Sequence, residues 1–360
     1  MLIFDAHLDI AWNALEWNRN LELPVSEIRL FEKHFTDIVP GDCTVSYPEM
    51  RQGGMGLMVA TLLPRLHRKD KPLTFYQGRE SAYAAAYGQL AYYRAMVSKG
   101  VLKELATGKA VREHAQRWQD HLAGKGPQPE IGYVLSMEGA PPILYPQQVD
   151  EWFAAGLRAV GPAHYGPNEY CHGTGSFGGL TPDGEQLLRE MDRVGMILDA
   201  THLADDSFWP ALDIFQGPVL ASHHNCRALV PGDRQLDDNQ IKALIARGSV
   251  IGAAFDTWML YPGWKKYVTS PNEVPLERVV DHIDHICQLA GNARHSGIGT
   301  DLDGGYGREQ SPGDLDTIAD VQKIAEILSS RGYSDADVER VMFRNFVEFF
   351  ERSLPDPVAS

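Results

Sequence analysis

Along this chain a short apolar run repeatedly ends on a histidine or an acid, and helical patterns separate each run from the next. The first run is Ile3-Phe4-Asp5-Ala6-His7-Leu8-Asp9. Side chains alternate along a strand, so His7 and Asp9 share a face and can reach one cation. Gly56 to Leu63 reads as a buried strand stopped by Pro64. Ile131 to Met137 ends at Glu138, Leu157 to Ala163 at His164, Gly195 to Thr201 at His202, and Pro218 to Ser222 at His223. Ser249 to Phe255 is a further strand, and His295 to Thr300 ends at Asp301. Strands alternating with helices imply a parallel sheet. Eight such units with no break in composition predict an α/β fold closed into a (β/α)8 TIM-type barrel, with residues 1–360 as a single barrel domain. In such a barrel the carboxyl ends of the strands meet at one mouth, which would bring these residues together.

The helical patterns fill the gaps. Val25 to Lys33 is predicted helical, as is Ser46 to Gln52, with Pro48 suited to its first turn and Gly53-Gly54 ending it. Two long patterns run from Tyr76 to about His121, broken near Gly100, and are read as an added elaboration of one crossover. Further helices are expected over Asp150 to Ala155, from Thr181-Pro182 onward, and over Asp206 to Phe215, Leu236 to Arg247 and Glu277 to Ala290. Two more, about Asp314 to Ser330 and Asp335 to Phe350, precede a polar tail.

Composition narrows the partners. A net charge of -15 over 360 residues argues against nucleic acid and anionic membrane, since phosphate contacts need clustered Lys and Arg. The four cysteines, Cys43, Cys171, Cys226 and Cys287, form no C-x-x-C pair, so neither a disulfide framework nor a thiolate zinc site is suggested. Met1 leads almost directly into the first strand and no run is long enough to span a bilayer; a cytoplasmic location is the expectation.

The candidate metal shell is His7, Asp9, Glu138, His202 and His223, with His164 and Asp301 nearby. Imidazole and carboxylate without thiolate suit Zn²⁺ or a similar divalent cation with open positions. Five ligands are too many for one open ion and suit two: His7 and Asp9 on one, His202 and His223 on the other, Glu138 bridging. Two ions roughly 3.5–4 Å apart can hold a bridging water and lower its pKa toward neutrality, giving a hydroxide that attacks a polarised carbonyl. Asp301 is then placed to take the proton from that water and pass it to a leaving amine. His164 is placed to donate a hydrogen bond to the oxyanion.

These residues resemble the membrane (renal) dipeptidases, zinc metallopeptidases of the amidohydrolase-like barrel superfamily, over nearly the whole chain. The likeness rests on Asp5-Ala6-His7-Leu8-Asp9, Ser136-Met137-Glu138-Gly139, Leu198-Asp199-Ala200-Thr201-His202, Ala221-Ser222-His223, Arg227-Ala228-Leu229 followed by Arg234, and Gly299-Thr300-Asp301-Leu302-Asp303-Gly304. It implies two zinc ions on His7, Asp9, Glu138, His202 and His223, with substrate and proton handling by His164, Arg234 and Asp301. It further implies cleavage of small dipeptides, tolerance for a D-residue at the carboxyl end, and a homodimer. Arg234 supplies a physical reason for the dipeptide limit, because a guanidinium fork clamps a free carboxylate that a longer peptide lacks at that place.

The chain departs from the family pattern at Leu8, where many relatives carry Asn, and at His224-Asn225, where small hydroxyl residues are usual. No substrate-side tyrosine is visible around Phe255-Asp256-Thr257-Trp258. A carboxylated lysine bridges the metals in other barrels, but here the corresponding strand ends in His164. Asp199 is expected to orient a neighbour, Asp303 to bond within its loop, His224 to point away from the ligand face, and His282 and His285 to lie on a solvated helix face. Gly173 to Gly178 matches G-x-G-x-x-G but stands far from its strand, so it reads as a mobile loop over the mouth instead of a dinucleotide fingerprint. Two other functions stay open at this point: another amidohydrolase reaction (an N-acyl amino acid deacylase or a lactonase), and a non-catalytic metal- or peptide-binding barrel.

Overall fold

Parallel strands buried on both faces make up the centre of the molecule. The computed structural model describes residues 1–34, 41–65 and 76–355. Its strands are β1 (Ile3–Leu8), β2 (Met55–Leu62), β3 (Leu102–Glu104), β4 (Ile131–Glu138), β5 (Ala159–Gly161), β6 (Ile197–Asp199), β7 (Val219–Leu220), β8 (Ile251–Ala253) and β9 (Ser296–Ile298). The hydrogen-bonded order is β7-β6-β5-β4-β2-β1-β9-β8, with β3 on the outside against β4. The two ends of that path meet through a parallel bridge between Ala221 and Ile251. Bonds from Ala221 N to Val250 O at 3.1 Å and from Gly252 N to Ala221 O at 2.8 Å reinforce it. The expected eight-stranded α/β barrel is therefore present.

β1, β2 and β4 are buried at every position, as the near-continuous apolar runs of an all-parallel sheet require. At the amino end of β1, Phe4 stacks on Phe350 with centroids 5.4 Å apart, so the C-terminal helix Asn345–Ser353 closes the bottom of the barrel. Local chemistry sets the helix ends. The helix Pro182–Val194 starts at Thr181, whose hydroxyl accepts from Gly184 N at 3.0 Å, and stops at Gly195 with φ 78°.

The structure corrects the sequence reading in three places. The ninth strand β3 interrupts the stretch read as two helical patterns. Helix Arg79–Ser98 ends before Gly100 (φ 72°), β3 pairs Leu102 with Ile131, and helix Gly108–Leu122 follows. Three residues with one buried apolar side chain leave no periodicity to detect. A short helix, Ile10–Glu16, begins directly after Asp9. His282 does not lie on a solvated face: it is buried, and its Nδ1 accepts from Cys226 N at 3.0 Å. Its neighbour His285 pairs with Asp238 at 2.8 Å.

Among the described residues no helix is long and apolar enough to cross a membrane.

Candidate metal centre

The strand ladders stop earlier than the apolar runs suggest, and the offset is uniform. His164, His202, His223 and Asp301 each lie three residues beyond the last residue of β5, β6, β7 and β9, while Glu138 ends β4 and His7 lies inside β1. An equal overrun on neighbouring parallel strands brings the side chains to one level of the mouth. Two of these positions carry backbone cost: His202 has φ 67° and Asp301 φ 56°, in the left-handed region that side chains with a Cβ seldom adopt.

Glu138 sits at the centre. Its Oε2 lies 3.6 Å from His7 Nε2 and 4.0 Å from His164 Nε2. Its Oε1 lies 3.2 Å from His202 Nε2 and 3.3 Å from His223 Nε2. His7 Nε2 is also 3.7 Å from Asp9 Oδ1 and 3.8 Å from Asp301 Oδ1. Three overlapping groups have the spacing to hold a cation: His7, Glu138 and His223; Glu138, His164 and His202; and His7, Asp9 and Asp301. The two carboxylate oxygens of Glu138 thus face two different sets of nitrogen donors.

Hydroxyls and backbone amides hold these ligands from behind. Thr174 Oγ1 lies 2.9 Å from His202 Nδ1, and Ser222 Oγ lies 2.9 Å from His223 Nδ1 and 3.3 Å from His7 Nδ1. With each Nδ1 engaged, Nε2 is the nitrogen that faces inward. Thr61 bonds through its hydroxyl to Asp9. Asp5 accepts from His7 N at 3.2 Å and from Thr300 N at 2.9 Å. Asp199, as expected, orients neighbours: its Oδ1 accepts from Thr201 N and Ser222 N, both at 3.0 Å.

The electrostatics fit a cation. Burial disfavours the charged form of Glu138, yet the imidazoles of His7 and His164 and the bonds from His202 and His223 hold its carboxyl well below the usual range. Burial keeps His202 and His223 well below ordinary histidine, so both present lone pairs. Burial also raises Asp9 to about 6, against the pull of His7, and pushes Asp301 well above its ordinary value. His7 is driven to about 10, because Glu138, Asp9 and Asp301 together outweigh its desolvation. His7 Nε2 is buried with no hydrogen-bond partner among the described residues, and the Nε2 atoms of His202 and His223 face each other at 3.3 Å. Two buried carboxylates, the partly buried Asp301, an unbonded inward nitrogen and two opposed neutral imidazoles make a donor set that a divalent cation satisfies and a proton does not.

On the substrate side, Arg234 is 2% exposed. Its Nη2 donates to His223 O at 3.0 Å, while Nη1 has no hydrogen-bond partner among the described residues. Tyr165, which sequence reasoning missed, places its ring 5.0 Å from both His164 and His202. Its only signal in the sequence is that it follows a strand-end histidine. Thr174 and Ser222 were missed as well. Thr174 lies in the glycine-rich stretch 173–178, which is tied down: Gly175 N donates to Asp233 at 2.8 Å, and a Cβ on Gly173 would fall 1.9 Å from His164 O. Asp303 does not bond within its own loop: its carboxylate reaches the distant amino-terminal segment, accepting from Thr44 N at 2.9 Å and Val45 N at 3.0 Å and pairing with Arg19 at 3.0 Å. His224 is buried outside the three groups.

Residues 1–353 match the family model described as membrane dipeptidase (peptidase family M19). Dipeptidase tcpJ of Claviceps purpurea is 32% identical over 212 residues, 57% of this chain and 46% of that protein, so the match spans about half the length of that curated relative. Two solved structures superpose over almost the whole chain: dipeptidase AC, a metallopeptidase of the same family, and a metallopeptidase from Rhodobacter sphaeroides liganded with a phosphinate mimic of the dipeptide L-Ala-D-Ala. Each has a TM-score of 0.78 at 22% identity and covers 98% of this chain and 99% of its own. At that identity the two structures speak for the barrel alone.

Proposed function

The chain belongs to the membrane dipeptidase family, and from that premise we propose that it is a dipeptidase dependent on two divalent cations, zinc by the character of its donors. His7 and Asp9 would hold one cation and His202 and His223 the other, with Glu138 shared between them. The observation that carries this reading is the division at Glu138, one oxygen toward His7 and the other toward His202 and His223. Bound there, the cations supply a hydroxide at neutral pH and polarise the scissile carbonyl.

The remaining steps belong to side chains. Arg234 clamps the free α-carboxylate through Nη1, which has no partner among the described residues, and so sets the length of the substrate. His164 donates to the oxyanion as the carbonyl becomes tetrahedral. Asp301 takes the proton from the attacking water and delivers it to the leaving amine. Acceptance of a D-residue at the carboxyl end and assembly as a homodimer complete the proposal.

The test is a panel of dipeptides, tripeptides and N-acylated amino acids, with metal content measured on the same sample. Dipeptides should be cleaved, tripeptides spared, and activity lost on chelation and restored by divalent ions. Robust turnover with fewer than two ions per chain would overturn the paired-cation mechanism. A preference for N-acyl amino acids would move the reading to a deacylase. Asp301→Asn should lower kcat by about 10²–10⁴-fold with bound metal retained, which separates a catalytic from a merely metal-binding barrel.

A further inference from the structure

We propose that Asp256 is a specificity residue that receives the free α-ammonium of the substrate's amino-terminal residue, an inference that rests on the dipeptidase reading above. Six of the eight ring strands deliver a residue to the metal and substrate cluster; β2 and β8 do not. Asp256 lies three residues beyond the end of β8, the same overrun that brings His164, His202, His223 and Asp301 to the mouth. Its backbone is fixed there from both sides. Phe255 N donates to Thr300 O at 3.0 Å, next to Asp301. On the other side the Asn225 side chain bonds both Ala254 N and Ala254 O at 3.0 Å, two residues after His223. The backbone that leads into Asp256 is therefore held between the segments that follow β7 and β9.

Asp256 has no charged hydrogen-bond partner among the described residues, and the one nearby cation that lowers its carboxyl, Lys266, acts only at a distance. Asp256 is 6% exposed, and among the described residues its oxygens take uncharged donors, Gln310 Nε2 at 2.8 and 3.0 Å and Trp258 N at 3.3 Å. Among the described residues it forms no ion pair, and nearby Lys266 is engaged with Glu309 at 3.3 Å. Asp303 has Arg19 and Glu138 has imidazoles on both oxygens, while Asp5 and Asp199, which also take only uncharged donors, spend them on backbone amides and a hydroxyl beside the metal ligands: His7 N and Thr300 for Asp5, Thr201 N and Ser222 N for Asp199. Burial pushes the Asp256 carboxyl up to about 7, against the bonds from Gln310 and Trp258. Tyr165, beside His164 and His202, has its hydroxyl pushed to about 12 by burial, against the pull of Arg234 and with Asp256 and Asp301 adding to the rise, so Asp256 lies within electrostatic reach of Tyr165.

A structural role alone does not account for a carboxylate here. Asp256 caps the turn Thr257–Met259, a task that asparagine or serine performs as well without burying an acid. A dipeptide carries an ammonium at one end and a carboxylate at the other. Arg234 suits the second and Asp256 the first. This also gives the site a reason to prefer peptides over N-acyl amino acids, whose amide nitrogen bears no charge.

The test uses the metal-loaded protein and three phosphinate dipeptide mimics: one with an α-amine, its des-amino analogue, and a des-amino analogue with an ammonium on the side chain. Wild type should bind the α-amino mimic about 10–100-fold more tightly than the des-amino one, as expected for a charge-assisted bond in a buried site. In Asp256→Asn, and in Asp256→Ser if the first does not fold, that ratio should fall toward unity with the des-amino inhibition constant unchanged. An unchanged ratio in the variants, a wild-type ratio near unity, or a preference for the side-chain ammonium would each overturn the inference and leave the dipeptidase reading intact. A wild type that neither cleaves dipeptides nor binds any mimic would fail earlier, at the reading of the site.

Discussion

The imidazoles at the centre of the mouth are aimed by hydroxyls. Thr174 reaches His202 Nδ1 from the glycine-rich stretch, and Ser222 serves His223 and His7 at once. Such partners fix the ring orientation and the tautomer, so their loss should appear first in metal affinity. We expect Thr174→Val, nearly isosteric, to weaken divalent ion binding by about 10–100-fold with the fold intact, read by competition with a chromophoric chelator. An unchanged affinity would mean that packing alone orients His202. These hydroxyls also mark where sequence reasoning runs out at this scale. A histidine or acid ending an apolar run stands out because it breaks the pattern. Ser222 sits inside such a run as an ordinary small residue, and Thr174 belongs to a loop with no periodicity, so only folding reveals what each one touches. Tyr165 is hidden in the same way, as an aromatic residue beside a stronger signal.

Among the elements, the seam where β7 meets β8 is the most demanding. β7 has only two paired residues, and Ser222 O lies 2.0 Å from where a Cβ on Gly252 would stand and 1.8 Å from one on Gly299. Closure depends on backbones approaching to a distance that only glycine permits. Gly252→Ala should therefore destabilise the protein by about 2–4 kcal/mol in denaturant titrations, because Ser222 carries the backbone of His223 and cannot yield freely. Gly88 is the contrasting case. It lies inside helix Arg79–Ser98, and a Cβ there meets nothing within 4 Å. Gly88→Ala should stabilise by about 0.5–1 kcal/mol in the same assay. The sequence carries the barrel itself plainly, since alternating apolar runs and helices leave few other topologies. It does not carry β3, whose pairing with β4 depends on a partner nearly thirty residues away. Nor does it mark the ladder ends, because the apolar run continues past the last hydrogen-bonded pair at β5, β6, β7, β8 and β9.

For the molecule as a whole, acid stability follows from imidazoles buried away from the mouth. Burial lowers His282 to about 3, and burial together with the Arg117 guanidinium lowers His114 to about 4. Both are buried and both bond to backbone, His282 through Cys226 N and His114 through Glu130 O. A folded pKa below the unfolded value near 6.5 means that the unfolded chain binds protons first as pH falls. The stabilisation is complete above about pH 6.5 and is lost progressively below it, until the folded protein also protonates near 3 to 4. Between pH 7.5 and pH 5, His282 alone should remove about 2 kcal/mol of stability. Metal release in acid acts in the same direction, since the ligating imidazoles must be neutral, so the total fall in stability does not isolate the buried pair. The difference between wild type and His282→Asn does isolate it. Asparagine keeps an acceptor for Cys226 N but does not titrate, and the metal-dependent part is common to both proteins. Urea titrations at the two pH values should show the variant losing about 2 kcal/mol less than wild type. Equal losses would mean that His282 reaches water or a partner as it protonates, and the acid limb would then belong to His114 and the metal ligands.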